Sequence, residues 1–207
     1  MQNLEIEIKL GIPNNEVAET IAADKKFLNL ATDNTIECME VLATYYDTPV
    51  LGLQKAGIVF RVRKEGDKIV ATVKKGGNSD SCLSQRGEWN IEVPSLMPDL
   101  EPFFTTTLGS EIKEAVGDRN LVPLFSCRFA RRYVILNLEK DTQAELAVDV
   151  GSIVAGKLTE PICELELELK QGDLSVMLKV ASEIAELYNL VPELRSKFAR
   201  GLVLSGK

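Results

Sequence analysis

Glu5-Ile6-Glu7-Ile8-Lys9 places two carboxylates and an ammonium on one side of an extended segment and two isoleucines on the other, because successive side chains of a strand point to opposite faces. Near the other end of the chain, Cys163-Glu164-Leu165-Glu166-Leu167-Glu168-Leu169 repeats the device with three carboxylates opposite an apolar row. Like charges that meet across paired strands cost about 0.2–1 kcal/mol per pair. A fold that gathers Glu5, Glu7, Glu164, Glu166 and Glu168 on one surface therefore needs counter-charge, and a divalent cation is the most compact source.

The chain between these strands reads as more of the same, interrupted by helices. Asn14 caps a helix whose stripe is Val17, Ile21 and Leu28, and residues 35 to 46 form a strand that ends in Tyr45-Tyr46-Asp47-Thr48-Pro49. Residues 58 to 75 form a hairpin turning at Glu65-Gly66-Asp67. Arg61 and Arg63 share a face of its first arm, as do Thr72 and Lys74 on its second. Residues 76 to 81 read as a loop, after which Arg86, Glu88, Asn90 and Glu92 alternate with Trp89, Ile91 and Val93. Residues 99 to 118 are helical in pieces, with Leu108, Ile112 and Val116 at spacing of four. A strand over 123 to 138 carries Arg128, Arg131 and Arg132, and the next alternates Glu145, Ala147 and Asp149 with Leu146 and Val148. A short strand at Ile153 to Ala155 leads into the second glutamate strand. A helix near 174 to 189, with Leu174, Leu178, Ala181, Ile184, Ala185 and Tyr188 as its stripe, precedes a short one carrying Lys197, Phe198 and Arg200.

Most of these strands have one apolar and one ionic face, which points to an α+β fold: a closed antiparallel β-barrel of about eight strands, charged faces inward and helices packed outside. The 207 residues are expected to form one domain, 1–207. Inside such a barrel the acidic rows and Lys9, Arg61, Arg63, Lys74, Arg86 and Arg131 cannot remain buried and unpaired. Acids that grip metal beside bases that grip a polyanion describe a metal–polyphosphate site.

Composition narrows the chemistry. The chain has no histidine, so catalysis falls to carboxylates, lysine, tyrosine or metal-activated water, and an oxygen-only site favours a hard cation. A net charge of −7 argues against nucleic acid as a partner. No signal segment or membrane span is evident, and Cys38, Cys82, Cys127 and Cys163 form no CxxC pair, so a cytoplasmic protein with reduced, packed thiols is expected. No aromatic pair suggests a slot for a nucleobase.

The ordered motifs resemble the CYTH family, the triphosphate tunnel metalloenzymes. Glu5-Ile6-Glu7-Ile8-Lys9 matches its ExExK signature. Tyr45-Tyr46-Asp47-Thr48-Pro49, Phe60-Arg61-Val62-Arg63, Gln85-Arg86-Gly87-Glu88-Trp89-Asn90, Pro123-Leu124-Phe125-Ser126, Glu160 to Glu168 and Ser196-Lys197-Phe198-Ala199-Arg200-Gly201 follow in order. The pattern is most similar to the bacterial inorganic triphosphatases of that family.

The resemblance implies an eight-stranded tunnel, two Mg²⁺ or Mn²⁺ ions, and hydrolysis of a triphosphate at its terminal phosphoryl group. One ion would bind phosphate oxygens and the other the attacking water. It places Glu5, Glu7, Glu164, Glu166, Glu168 and Asp149 at metal positions, with Glu145 completing an acidic pair. It places Lys9, Arg61, Arg63, Lys74, Arg86, Arg131 and Arg200 at phosphate positions. Glu166 or Glu168 would orient the water, or Lys197 would act as base if its pKa were depressed. Arg128 and Arg132 are expected on a solvated face. Class IV adenylyl cyclase and thiamine triphosphatase activities occur on the same fold, and a polyphosphate- or nucleotide-binding barrel without turnover is the non-enzymatic alternative. Many bacterial inorganic triphosphatases continue into a helical, histidine-rich domain. A chain ending at Lys207 is expected to lack that domain's polyphosphate-granule role, and to be a monomer or homodimer. If the glutamates face one another in a metal-free lumen, Glu166→Gln is expected to relieve repulsion and leave the metal-free fold as stable as before or slightly more so.

Overall fold

A computed structural model describes residues 3–32, 35–77 and 82–207; of the loop expected over 76 to 81, residues 78 to 81 lie outside them. The strands are β1 (Asn3–Gly11), β2 (Glu37–Asp47), β3 (Ile58–Glu65), β4 (Lys68–Lys75), β5 (Leu83–Glu92), β6 (Val122–Leu138), β7 (Thr142–Ala155), β8 (Leu158–Gln171) and the two-residue β9 (Val191–Pro192). The helices are α1 (Asn15–Ala22), α2 (Lys25–Leu30), α3 (Gly52–Lys55), α4 (Gly109–Val116), α5 (Leu174–Tyr188) and α6 (Lys197–Leu204), with a 3-10 turn at Glu101–Thr105. Among the described residues, no helix is long and apolar enough to cross a membrane.

Every pairing is antiparallel, and β1 bonds both β8 and β5, so the order β5-β4-β3-β2-β6-β7-β8-β1 closes on itself. The eight-stranded barrel expected from the alternating faces is therefore observed, with β9 appended beside the end of β1. Closure leaves none of the eight strands with a free edge over its paired length, which removes the usual template for edge-to-edge association. The hairpin between β3 and β4 pairs Glu65 with Lys68 across Gly66 and Asp67, and Gly66 takes the positive φ that such a tight turn requires.

Two cores lie outside the barrel, on the apolar sides of the alternating strands. One packs Ile8, Leu10, Val134, Leu136, Leu146, Val148, Leu165 and Leu167 against Ile21, Phe27, Met177, Ala181 and Ile184. The other packs Phe60, Val62, Val73 and Trp89 against Leu53, Phe103 and Ile112. A third sits within the barrel, where β2 and β7 end and β6 and β8 begin: Tyr45, Phe125, Cys127, Ile153 and Ile162 meet Phe198, Leu202 and Leu204 of α6. Tyr45 stacks on Phe125, with ring centroids 4.6 Å apart. At this end α6 packs across β6, β7 and β8.

Several sequence expectations change in detail. The helix read through Leu28 is two helices, because the Asp24 carboxylate accepts the Lys26 N–H at 2.7 Å and starts a second N-terminus; Phe27 is buried in place of Leu28. On α5 the buried face includes Val176 and Met177, while Leu178 is exposed. Ile153 to Ala155 is the end of β7, continuous from Thr142. The turn after Tyr46 opens α3, whose first turn is held by the buried Asp47 carboxylate accepting from Leu53 N at 2.8 Å and Gln54 N at 2.9 Å. Of the four free thiols, Cys127 is buried and Cys38 is exposed, so Cys38 does not pack as a small apolar residue.

The seat of α6 depends on Gly201, where a Cβ would come within 2.2 Å of the Phe125 ring. That ring is pinned by Tyr45 and cannot yield. Gly201→Val is expected to cost about 1–3 kcal/mol, read as a lower urea midpoint at unchanged m-value; an unchanged midpoint would show that α6 is not tightly seated.

Candidate active site: an ionic lumen with an acidic trio on its floor

The lumen is a cavity of 710 Å³, within the size range of small-molecule sites. Alternation along the strands delivers Glu5, Glu7 and Lys9 from β1, Arg61 and Arg63 from β3, Lys74 from β4, Arg86 and Glu88 from β5, Arg131 from β6, Glu145 from β7, and Glu166, Glu168 and Lys170 from β8. Ser196, Lys197 and Phe198 of α6 form part of the lining at the α6 end. The opposite mouth lies where β3 turns into β4 and β7 begins.

Two ionic clusters are built around this lumen, and the second reaches behind its wall: Glu166, Arg131 and Lys197 line the cavity, whereas Asp149, Glu164 and Arg200 lie outside its lining. In the first, Glu5 accepts from Lys74 at 2.7 and 2.8 Å and from Arg86 at 2.6 Å, while Arg86 also donates to Glu7 at 2.5 Å. Burial alone would raise the Glu5 pKa, but Lys74 and Arg86 outweigh it and hold the carboxyl at about 2. The Lys74 ammonium is itself lowered, because burial and the neighbouring Arg86 and Arg61 prevail over its bridges to Glu5 and Glu88.

In the second cluster, Asp149, Glu164 and Glu166 bring carboxylate oxygens within 4.8 Å of one another. Lys197 donates to Asp149 at 2.7 Å, to Glu166 at 3.0 Å and to Glu164. Arg131 grips Asp149 at 2.8 and 2.7 Å and Glu166 at 2.6 Å, and Arg200 donates to Glu164 at 2.9 Å and Glu160 at 2.7 Å. Burial raises Glu164. It also opposes ionisation of Glu166, yet Lys197, Lys9 and Arg131 hold that carboxyl well below the usual range.

Arg61 and Arg63 stand apart from both clusters. Each has a buried Nε with no hydrogen-bond acceptor, although Glu65 lies 2.8 Å from the Arg63 Nε without the alignment a hydrogen bond needs. Arg61 otherwise makes a 3.5 Å contact from Nη1 to the Tyr45 hydroxyl and a 3.7 Å ion pair with Glu88. Burial and the neighbouring Arg61 push Arg63 down to about 10. Buried donors without acceptors are rare, and at a concave site they point to an acidic guest.

Several of these placements redirect the sequence reading. The six metal candidates do not form one group: Asp149, Glu164 and Glu166 come together, Glu5 and Glu7 are held by Lys74 and Arg86, and Glu168 pairs with Lys170 at 2.9 Å. Lys197 does not meet the condition set for a base. Burial would lower its pKa, but Asp149, Glu164 and Glu166 raise it well above the ordinary range. The lumen is also not ionic throughout, for Met39, Val41, Ala43 and Tyr45 of β2 and Phe129 and Tyr133 of β6 form an apolar and aromatic wall. Glu88 is visible in the alternation of β5; the β2 wall is not, because Met39, Val41 and Ala43 carry no charge to mark the inner face. Arg128 is exposed, and Arg132 points outward to Glu19 of α1 at 2.5 Å.

An oxygen-only trio on neighbouring strands suits a hard divalent cation in donor type and spacing, and the lumen bases suit phosphate oxygens. A closed barrel with ionic rows inside defines a tunnel-type fold. The chain belongs to the CYTH domain family, whose model matches residues 3–202. It is 30% identical over 210 residues to the inorganic triphosphatase of Haemophilus influenzae, an alignment covering 100% of this chain and 57% of that protein, so the chain spans little more than half the relative's length. HpAC1 from Hippeastrum, for which a dominant triphosphatase activity is described, superposes with a TM-score of 0.62 at 16% identity, covering 98% of this chain and 96% of that one. The Mimivirus capping enzyme triphosphatase superposes at 0.51 and 16% identity, covering 90% and 89%. At these identities the structural likeness speaks for the fold.

The pairing within each cluster reverses one sequence expectation. Glu166 is compensated by Lys197, Arg131 and Lys9, so removing it strands buried cations. Glu166→Gln is expected to destabilise the metal-free protein by about 2 kcal/mol, read from urea unfolding, whereas relief of repulsion would leave it unchanged or more stable. Glu5 makes stability pH-dependent with a definite sign: its carboxyl is lowered in the folded state, so its contribution is present above the ordinary value of 4.5 and is lost as pH falls toward about 2. The stability gap between the parent and Glu5→Gln should therefore be largest above pH 4.5 and shrink below it; a gap constant across that window would remove Glu5 from the linkage.

Proposed function

We propose that this barrel hydrolyses inorganic triphosphate to pyrophosphate and phosphate with Mg²⁺ or Mn²⁺. The reading is carried by the two buried guanidinium groups, Arg61 and Arg63, each with an Nε lacking an acceptor, in a cavity lined also by Glu166, the one member of the acidic trio that reaches it. Similarity to the H. influenzae inorganic triphosphatase supports the choice of substrate.

Phosphoryl transfer asks a protein mainly for position and charge stabilisation. Arg61, Arg63 and Arg131 present guanidinium forks suited to two phosphate oxygens at once, while Lys9 and Lys74 act as point charges. When bound by Asp149, Glu164 and Glu166, a divalent cation supplies further neutralisation of phosphoryl oxygens and acidifies water. Water attacks the terminal phosphorus as the bond to the bridging oxygen breaks. The electron pair of that bond leaves with pyrophosphate, whose charge the lumen bases stabilise.

We assign the proton of the attacking water to Glu168. It lines the cavity on β8 two residues beyond Glu166, and its pairing with Lys170 at 2.9 Å does not offset the burial that raises its pKa. Glu166, held ionised, accepts and orients without taking the proton. A second reading is favoured by the wall of Met39, Val41 and Tyr133, which offers contact to an organic head group on a triphosphate, as in ATP or thiamine triphosphate.

Inorganic triphosphate, ATP and thiamine triphosphate, each assayed with Mg²⁺ and with Mn²⁺ for phosphate, pyrophosphate and cyclic AMP, separate these readings. The expected result is a higher kcat/KM for inorganic triphosphate; equal or greater efficiency with ATP shifts the assignment to the organic substrates. Arg61→Ala is expected to weaken triphosphate binding by about 10- to 100-fold, the equivalent of one or two charge-assisted contacts, with little change in melting temperature because its internal partners are distant. Arg86→Ala should lower both, since Arg86 also holds Glu5 and Glu7. An unchanged Kd in Arg61→Ala would remove the lumen from substrate binding.

A further inference from the structure

The Lys197 ammonium stands among the same three carboxylates that fit a divalent cation. It has three N–H donors and spends one on each acid: Asp149 at 2.7 Å, Glu166 at 3.0 Å, and Glu164. Their oxygens lie within 4.8 Å of one another, which leaves one central position, and a buried cation already fills it. A second, doubly charged ion at that position would meet the ammonium at contact distance in a poorly screened interior. The two cannot be seated together.

Lys197 is the first residue of α6, directly after the Ser196 cap, whose hydroxyl accepts the Ala199 N–H at 3.1 Å. Beyond Lys197, α6 has further attachments: Arg200 holds Glu160 at 2.7 Å as well as Glu164 of the trio at 2.9 Å, and Gly201 lies against Phe125. The helix can therefore stay seated while its first turn gives way.

We propose that Lys197 and a divalent cation alternate in the seat formed by Asp149, Glu164 and Glu166, so that cation binding expels the ammonium and loosens the first turn of α6. Lys197 is then a resident stand-in: it keeps the acids from repelling one another when no metal is bound, and it sets how tightly metal binds. The inference rests on the cation reading given above, but it concerns binding to the protein alone.

The experiment is calorimetric titration of Mn²⁺ into the full chain without any triphosphate. Lys197→Met should bind Mn²⁺ at least tenfold more tightly than the parent, and Lys197→Arg, which keeps the charge, should bind no more tightly than the parent. The double variant Asp149→Asn/Lys197→Met should lose the gain. Equal or weaker binding by a folded Lys197→Met, or no binding by either protein, overturns the proposal. A second measurement uses the parent alone and so survives misfolding of the variants: amide exchange at Ala199 and Arg200, whose N–H groups are held by Ser196, should quicken at least threefold in saturating Mg²⁺, and unchanged exchange there overturns the proposal. Because no substrate is present, these results stand apart from whether triphosphate is hydrolysed.

Discussion

Charge compensation inside a closed sheet is the constraint on which the rest of this structure depends. Closing the barrel forces the inner face of every strand into one confined space, where an ion without a partner is far more costly than at a surface. The chain answers by interleaving signs. Arg86 stands level with Glu5 across the β1–β5 pair, and Arg131 stands level with Asp149 across the β6–β7 pair. Each cross-strand match neutralises charge at a given depth. The outer cores, with their helices, could cover an open sheet equally well; it is the inward ionic rows that make sense only once the sheet has closed.

The parts legible in the sequence were those written at period two with charge on one side. β1 and β8 announce themselves because glutamate alternates with isoleucine or leucine, and the β3–β4 hairpin because Gly66 sits between alternating arms. β2 shows the limit: its inner residues Met39, Val41 and Ala43 carry no sign, so the apolar wall of the lumen does not separate from an ordinary buried strand. The grouping of the acids was hidden for a different reason. Alternation tells that Glu5, Glu7 and Glu164 face inward, but which carboxylates meet is decided by the cations of other strands and of α6, and Lys197 reaches Asp149 across 48 positions of sequence. The division of the first helix likewise turned on one local competitor, the Asp24 carboxylate, which a hydrophobic stripe does not register.

The family relationship and the lumen speak to different questions. Membership in the CYTH family accounts for the barrel. A barrel of this kind admits any guest whose charge suits its bases, so chemistry is set by side chains a few ångströms long and not by strand order. Here the distinction falls between the ionic rows, which suit a bare polyphosphate, and the β2–β6 wall, which suits something with a carbon skeleton.

The helix packed across one end of the barrel also makes the two ends of the lumen unlike. Phe198 of α6 lies against Tyr45 and Phe125, and Lys197 beside it lines the cavity, while Arg63, Glu65 and Glu145 line it toward the other end. A guest whose own two ends are identical therefore meets different surroundings at each, so that a symmetrical molecule acquires a direction from the place where it is held.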